Sequence, residues 1–254
     1  MQLKNKQAVV TGGASGIGLA ITRALHAQGA RVLAIGRDRA KLDAVHDEAS
    51  GITTLVADVS DVDERRRVID YLTGSGTSVD IFVNNAGTMQ YFALTDADAL
   101  VRLDAELALD LHAPIHFSTA LLPHLLARAE AAIVNLTTGL VYAPYGGTPG
   151  YSAAKNGLHA FNQSLRRQTR DSGLLVLDVL PPTVDSDLTK GYEGPKAKPE
   201  TVADAIVAAL TAGQSGDVRV GQSKALYAMS RIAPAFLSRM LNNAIDKGTR
   251  DPRA

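Results

Sequence analysis

Short runs rich in Val and Ile alternate along this chain with longer segments of helical period, and that alternation is its strongest constraint. Strands are expected over residues 8–11, 31–35, 53–57, 81–84, 132–136, 174–180 and 218–220. Helices are expected over 16–28, 39–48, 61–72, 97–127, 151–169 and 200–212. Strands apolar on both faces and separated by helices belong to a parallel sheet covered from both sides. The expected fold class is therefore α/β, a single doubly wound parallel sheet of about seven strands with helices on both faces. No linker composition or internal repeat divides the 254 residues, so 1–254 read as one domain. The least regular stretch, with four prolines from Pro181 to Pro199, reads as a loop and places a lid over 183–198. Residues 224–245 return to helical spacing, and 246–254 read as a frayed tail.

Composition narrows the chemistry. Lys plus Arg and Asp plus Glu each total 26, so the net charge is zero and no bulk field recruits nucleic acid or an anionic membrane. With no cysteine, disulfides, thiolate nucleophiles and cysteine-ligated metals are all removed. Lys4 and Lys6 precede no signal-peptide core, and no apolar run reaches the length of about 18 residues that spans a bilayer. The expectation is a cytoplasmic protein, without nucleic-acid or membrane partners, whose chemistry uses oxygen and nitrogen groups.

At the first strand-to-helix turn stands Thr11-Gly12-Gly13-Ala14-Ser15-Gly16-Ile17-Gly18. Glycines there permit unusual dihedrals, let backbone approach a ligand, and leave N–H groups of the next helix facing an anion such as a diphosphate. A plain tight turn would use the same residues. The position after a Val-rich strand and before an amphipathic helix is, however, the context a dinucleotide site requires. Gly36, Asp58 and Asn84 follow later strands at the same carboxyl edge, where such sheets bind ligands.

Together with Asp58-Val59, Asn84-Asn85-Ala86-Gly87 and Tyr151-Ser152-Ala153-Ala154-Lys155, this turn resembles the classical short-chain dehydrogenase/reductase family, in order and over residues 6 to about 221. The resemblance implies a Rossmann-like fold, with Gly12, Ser15, Gly16, Ile17 and Gly18 along a cofactor diphosphate. It implies Asp58 and Val59 at the adenine, and Asn85, Ala86 and Gly87 along the adenosine half. Pro181-Pro182-Thr183-Val184-Asp185-Ser186 is similar to the family's Pro-Gly-x-Val-x-Thr segment, which implies the Val184 backbone at the carboxamide and Ser186 near the diphosphate. Pro182 in place of glycine stiffens that segment. Residues 135–139 and 181–188 also resemble a branch labelled D-alanylation-operon oxidoreductases, a label of gene neighbourhood that identifies no substrate. A homodimer or homotetramer through 97–127 and 151–169 is implied by resemblance alone.

Cofactor choice turns on the end of the second strand. An NAD-preferring member carries Asp there, whereas this chain has Gly36 followed by Arg37. A guanidinium pairs with a 2′-phosphate that a carboxylate would repel, so NADP(H) is favoured, with NAD(H) possible through Asp38. Asp38 reads more simply as the N-cap of the next helix.

Tyr151 and Lys155 stand at i and i+4 on one helix face. A phenol has a reference pKa of about 10, so proton exchange near neutrality needs its ionised form stabilised. In the family the tyrosine exchanges a proton with the substrate oxygen, and the lysine orients the nicotinamide ribose and assists the phenol. A serine hydroxyl on the preceding strand holds that oxygen. Thr138 takes the serine position here, with Thr137 a weaker substitute. Asp110 takes that of a relay asparagine, where it adds negative charge beside Lys155 and weakens the pull on Tyr151. The expected activity is hydride transfer between NADP(H) and a small-molecule alcohol or carbonyl substrate. Asp110, Thr138 and Pro182 motivate an alternative, a nucleotide-binding sensor or scaffold with weak or no catalysis. Met89, Tyr91, Tyr142, Tyr145 and Tyr192 are expected around an apolar substrate.

Other signals are read as structural. His112 and His116 have the spacing of a helical zinc pair but no third ligand, so they read as a helix-surface pair and no metal site is expected. Arg65-Arg66-Arg67 reads as a solvated face paired with Asp61, Asp63 and Glu64. Met229, Ile232, Phe236 and Met240 read as core or subunit interface. No Gly-x-Ser-x-Gly elbow marks a serine hydrolase.

Overall fold

The computed structural model describes residues 1–74 and 78–248. Seven strands, β1 (Gln7–Thr11), β2 (Arg31–Gly36), β3 (Ile52–Val56), β4 (Ile81–Asn84), β5 (Ala131–Leu136), β6 (Leu174–Leu180) and β7 (Gly216–Arg219), form one parallel sheet in the order β3-β2-β1-β4-β5-β6-β7. The chain leaves β1 towards β2 on one side and returns to β4 on the other. This topological switch opens a crevice at the carboxyl ends of β1 and β4.

The pleat sends alternate residues of each strand to opposite faces, which explains why the strands are apolar throughout. Ala8 and Val10 of β1 join one core with Val83, Val134, Leu177 and Val179. Ile21 and Leu25 of α1 (Gly16–Ala27) and Val202, Ile206 and Leu210 of α7 (Pro199–Thr211) cover that face. Val9, between those two positions, joins the opposite core with Leu33, Phe82, Ile133 and Val176. There Val68 and Leu72 of α3 (Val62–Thr73), Phe117, Leu121 and Leu125 of α5 (Ala113–Leu126) and Leu165 of α6 (Pro149–Gln168) complete the layer.

Local chemistry sets the helix starts. Asp38 caps α2 (Arg39–Glu48) by accepting from the Lys41 N–H at 3.1 Å. Asp61 caps α3 by accepting from the Asp63 and Glu64 amides, both at 2.9 Å. Proline opens α6, α7 and α9 (Pro234–Gly248), where its missing N–H has no intrahelical partner to lose.

One expectation is corrected. The single helix over 97–127 is divided into α4 (Ala99–Leu107), a π turn (Ala108–His112) and α5. Pro114 lacks the N–H that would bond the Asp110 carbonyl, so the ladder re-registers at Asp110. The helical spacing over 224–245 is carried by two helices, α8 (Ser223–Ile232) and α9, separated by Ala233 before Pro234. Residues 246–248 close α9, and the rest of the expected tail, 249–254, lies outside the described residues. The 183–198 stretch carries a 3₁₀ turn (Asp187–Thr189) and is pinned by a bridge between Val184 and Ala197.

Phe82 is fully buried, its ring centroid 5.1 Å from that of Phe117. Phe82→Ala should cost about 3–5 kcal/mol in equilibrium denaturation, from lost burial and the cavity left behind. The exposed Val62→Ala should stay within about 0.5 kcal/mol.

Candidate active site

The first turn folds as its glycines dictate. Gly12 has φ +65°, and a Cβ there would lie 2.9 Å from Asn85 Nδ2. A Cβ on Gly18 would collide with the Gly12 carbonyl, so Gly18 is buried behind the turn and lets α1 approach it. Ser15 stands at the N-cap of α1 in extended conformation without a side-chain capping bond, and the first turn of α1 carries no acidic residue. The helix end therefore presents its amides to an anion without a competing carboxylate.

From this turn a cleft of about 760 Å³ runs along the carboxyl edge of the sheet. Gly12, Ser15, Gly16 and Ile17 line its middle, Arg37, Asp58 and Val59 one end, and Asn85, Ala86, Gly87, Asp110, Tyr151 and Lys155 the other. Ser186 borders it from the 183–198 stretch, whereas the Val184 side chain is buried and lies off the lining. Asn85 works structurally: its side-chain amide donates to Thr11 O at 2.9 Å. The Thr11 hydroxyl accepts from the Asn85 and Ala86 amides at 3.0 and 3.1 Å. Thr11 thus welds β1 to the strand end after β4 at the switch point.

Arg37 is 80% exposed and sits 3.8 Å from Asp58. Burial opposes ionisation of Asp58, but hydrogen bonds from the Ser60 hydroxyl and amide, with Arg37 nearby, hold its carboxyl below the usual range. Two residues that sequence reasoning missed belong here. Lys41 lines the same end and pairs across the cleft with Asp187 at 3.6 Å. Arg65, read as solvated, is buried: it donates to Val59 O at 2.7 Å and Ser60 O at 3.2 Å, and its Nε reaches His116 Nδ1 at 3.2 Å. It fixes the Asp58–Ser60 loop, while Arg66 and Arg67 keep the expected pairs with Asp63 and Glu64.

At the other end, Lys155 Nζ donates to Leu136 O at 3.0 Å and stands 3.0 Å from Asp110 Oδ1. Asp110 is fully buried inside the π turn, and its Oδ2 accepts from the Thr88 N–H at 3.1 Å. Burial pushes the Asp110 carboxyl up, against the pull of Lys155. Lys155 Nζ is 5.7 Å from the centroid of the Tyr151 ring. Burial raises the Tyr151 phenol well above its ordinary value, and the Asp110 charge adds to this; a hydrogen bond with the Thr138 side chain opposes it. Thr138, not Thr137, therefore meets the tyrosine, since Thr137 Oγ1 is engaged by Asp178 at 2.6 Å. Met89 and Gln90 also line this end. Tyr142 points elsewhere, accepting from Arg219 Nε at 2.8 Å, and the Tyr145 hydroxyl donates to Asp246 at 2.7 Å. Ile232, Phe236 and Met240 are exposed, and their neighbour Leu237 is what packs inward.

Residues 6–196 match the short chain dehydrogenase family. The Bacillus subtilis protein named uncharacterized oxidoreductase DltE is 34% identical over 191 residues, covering 75% of this chain and 76% of that protein. An uncharacterized oxidoreductase of Staphylococcus epidermidis is 33% identical over 218 residues, covering 83% of this chain and 93% of its own length. Among solved structures, a short chain dehydrogenase/reductase family protein superposes with TM-score 0.77 at 26% identity, covering 87% of this chain and 97% of that one. A Burkholderia cenocepacia short chain dehydrogenase in complex with NADP superposes with TM-score 0.84 at 23% identity, covering 95% and 99%, a likeness of fold.

Beneath the site, His159, Asp178 and Asp217 converge, a cluster that sequence spacing did not reveal because it joins α6, β6 and β7. Each carboxylate already has partners: Asp178 holds Thr137 and His159, and Asp217 holds Arg166 at 2.9 Å and Arg219 at 2.6 Å. The hydrogen bond to Asp178, at 2.6 Å, raises the His159 imidazole above its ordinary value. A pKa raised on folding gives stability that is full below the unfolded value of about 6.5 and is lost as pH rises through the folded value. The denaturation midpoint of wild type should therefore exceed that of His159→Gln by more at pH 6 than at pH 9. An equal difference at both would deny the ion pair any role.

Proposed function

The chain belongs to the short-chain dehydrogenase family, a family of oxidoreductases, and on that premise we propose that it is an NADPH-dependent carbonyl reductase. The observation that carries this reading is the cleft that runs from the glycine turn to Tyr151 and Lys155, with Lys155 held at Leu136 O and Asp110. A phenol that keeps its proton is in the form that donates to a carbonyl oxygen when the chain acts as a reductase.

The residues of the cleft fit a nicotinamide dinucleotide. The bare Gly12 backbone and the α1 amides accept the diphosphate, and Val59 borders the adenine position. Arg37 and Lys41 supply the positive charge that a 2′-phosphate requires and an unphosphorylated ribose does not. When bound, the cofactor supplies the hydride. Tyr151 gives its proton to the substrate oxygen, Thr138 holds that oxygen by its hydroxyl, and Lys155 faces the ribose from the wall it shares with Asp110. The Asp110 carboxylate fixes Lys155 against Leu136 O and ties Thr88 to the same point. Ser186 and the 183–198 stretch close over the diphosphate as a lid. We place the protein in the cytoplasm; among the described residues no helix is long and apolar enough to cross a membrane. Leu100 and Val101, exposed on α4, support self-association through the α4–α6 face.

Purified protein with NADPH and a panel of neutral ketones and aldehydes should consume the nicotinamide absorbance. Tyr151→Phe should lower kcat by about 10²–10⁴-fold, and retention of the full rate would overturn the assignment. Tight cofactor binding with no turnover of any carbonyl would favour the sensor reading, for which the buried charge of Asp110 is the motive. Arg37→Ala should weaken NADPH binding about tenfold while changing NADH binding less than about twofold, measured by fluorescence titration. Equal weakening would remove Arg37 from 2′-phosphate recognition.

A further inference from the structure

Glu106 is a charged residue with no exposed surface, in the last turn of α4 and one turn before Asp110. Its Oε1 accepts from the Gln90 N–H at 2.7 Å. The same carboxylate faces the backbone N–H of Tyr151, which favours its ionised form. Its Oε2 is buried without a hydrogen bond of good geometry, aimed at the first turn of α6. A Cβ at position 150 would collide with that oxygen, so Gly150 is the residue that admits it. The N-cap of α6, Thr148, makes no side-chain capping bond. The unsatisfied amides and positive dipole end of the helix carrying Tyr151 are thus met by a carboxylate from another helix.

We propose that Glu106 is a positioning residue for the proton transfer, clamping the substrate-side strand of chain at Gln90 to the first turn of the helix that carries Tyr151. The proposal rests on the reductase reading for its kinetic consequence but not for the clamp itself. Gln90 lines the cleft beside Met89, so its distance from Tyr151 sets the room available to the substrate. An anionic carboxylate accepts strongly from the Gln90 amide and attracts the Tyr151 amide and the helix end, whereas a neutral carboxyl does both more weakly and places a proton on one oxygen. The groups facing Glu106 are Asp110 on the π turn and Tyr151 on α6, with Lys155 beyond Asp110 and Tyr91 near the phenol. Burial, reinforced by the Asp110 charge, pushes Glu106 up to about 7, so the clamp changes strength within the working pH range. Protonation on falling pH loosens it.

The test uses the full chain, wild type and Glu106→Gln, with a neutral ketone that wild type reduces. Wild-type KM should rise severalfold as pH falls from 8 to 6. In the variant KM should be pH-independent and close to the wild-type value at low pH, with NADPH binding and thermal midpoint little changed. A variant with wild-type KM at both pH values overturns the proposal. Amide exchange, compared at one pH near 8, reads the clamp without turnover: protection at Gln90 and Tyr151 should fall about tenfold in the variant while the sheet stays protected. Unchanged protection at both amides overturns the clamp whether or not any carbonyl is reduced. If the exchange result holds while no carbonyl is turned over, the clamp stands and the reductase reading fails.

Discussion

An ammonium and a carboxylate, both withdrawn from water, meet 3.0 Å apart where α6 passes the π turn. Burying either alone would be costly, and removing one partner of such a pair typically costs about 3–5 kcal/mol. Lys155 is therefore fixed by Asp110 and Leu136 O before any ligand arrives, and the rest of the site is organised around that fixed point. Gly87 owes its place to it, since a Cβ there would lie 2.6 Å from Asp110 Oδ1. Thr88 is tied to the other oxygen. The cost falls on Tyr151: the charge that anchors its lysine also discourages ionisation of its phenol. That one arrangement holds the lysine in place and keeps the buried phenol protonated.

The two ends of the cleft use charge differently. Around Tyr151 the charges are buried and mutually constraining, so a change in one is felt by the others. Around Arg37 they are exposed: Arg37 near Asp58 and Lys41 near Asp187 are weak surface pairs that water screens. Such pairs exchange readily for a stronger anion. The rigid element there is the loop below, held by the buried guanidinium of Arg65. The cleft thus has one end of buried, fixed charges and one of exposed, loosely held charges on a single sheet edge.

Much of this was legible in the chain order. The Val- and Ile-rich runs announced the strands because a strand covered on both faces has no polar side to show. The glycine turn, Asp58, Asn85 and the Tyr151–Lys155 pair announced the cleft because each depends on a local backbone or a one-turn spacing. The errors have a common cause. Arg65 looks identical in sequence to Arg66 and Arg67, and only the approach of α5 with His116 turns it inward. The π turn is encoded by Pro114, yet its signal is a missing hydrogen bond rather than a residue preference. Tyr142 was assigned to the substrate by proximity in sequence, while Arg219, 77 residues away, draws it off.

The sequence by itself determined the class of sheet, the edge at which the cleft opens, and the identity of the phenol and amine that line it, because those follow from periodicity and short spacing. The tertiary structure alone decided the charge state around them. Glu106 is one acid among many on a helix, and Asp110 stands out only as the residue at a relay-asparagine position, until α6 and the loop at Gln90 close over both and exclude water. A carboxylate's proton affinity depends on what surrounds it in three dimensions, and that is information a linear spacing does not carry.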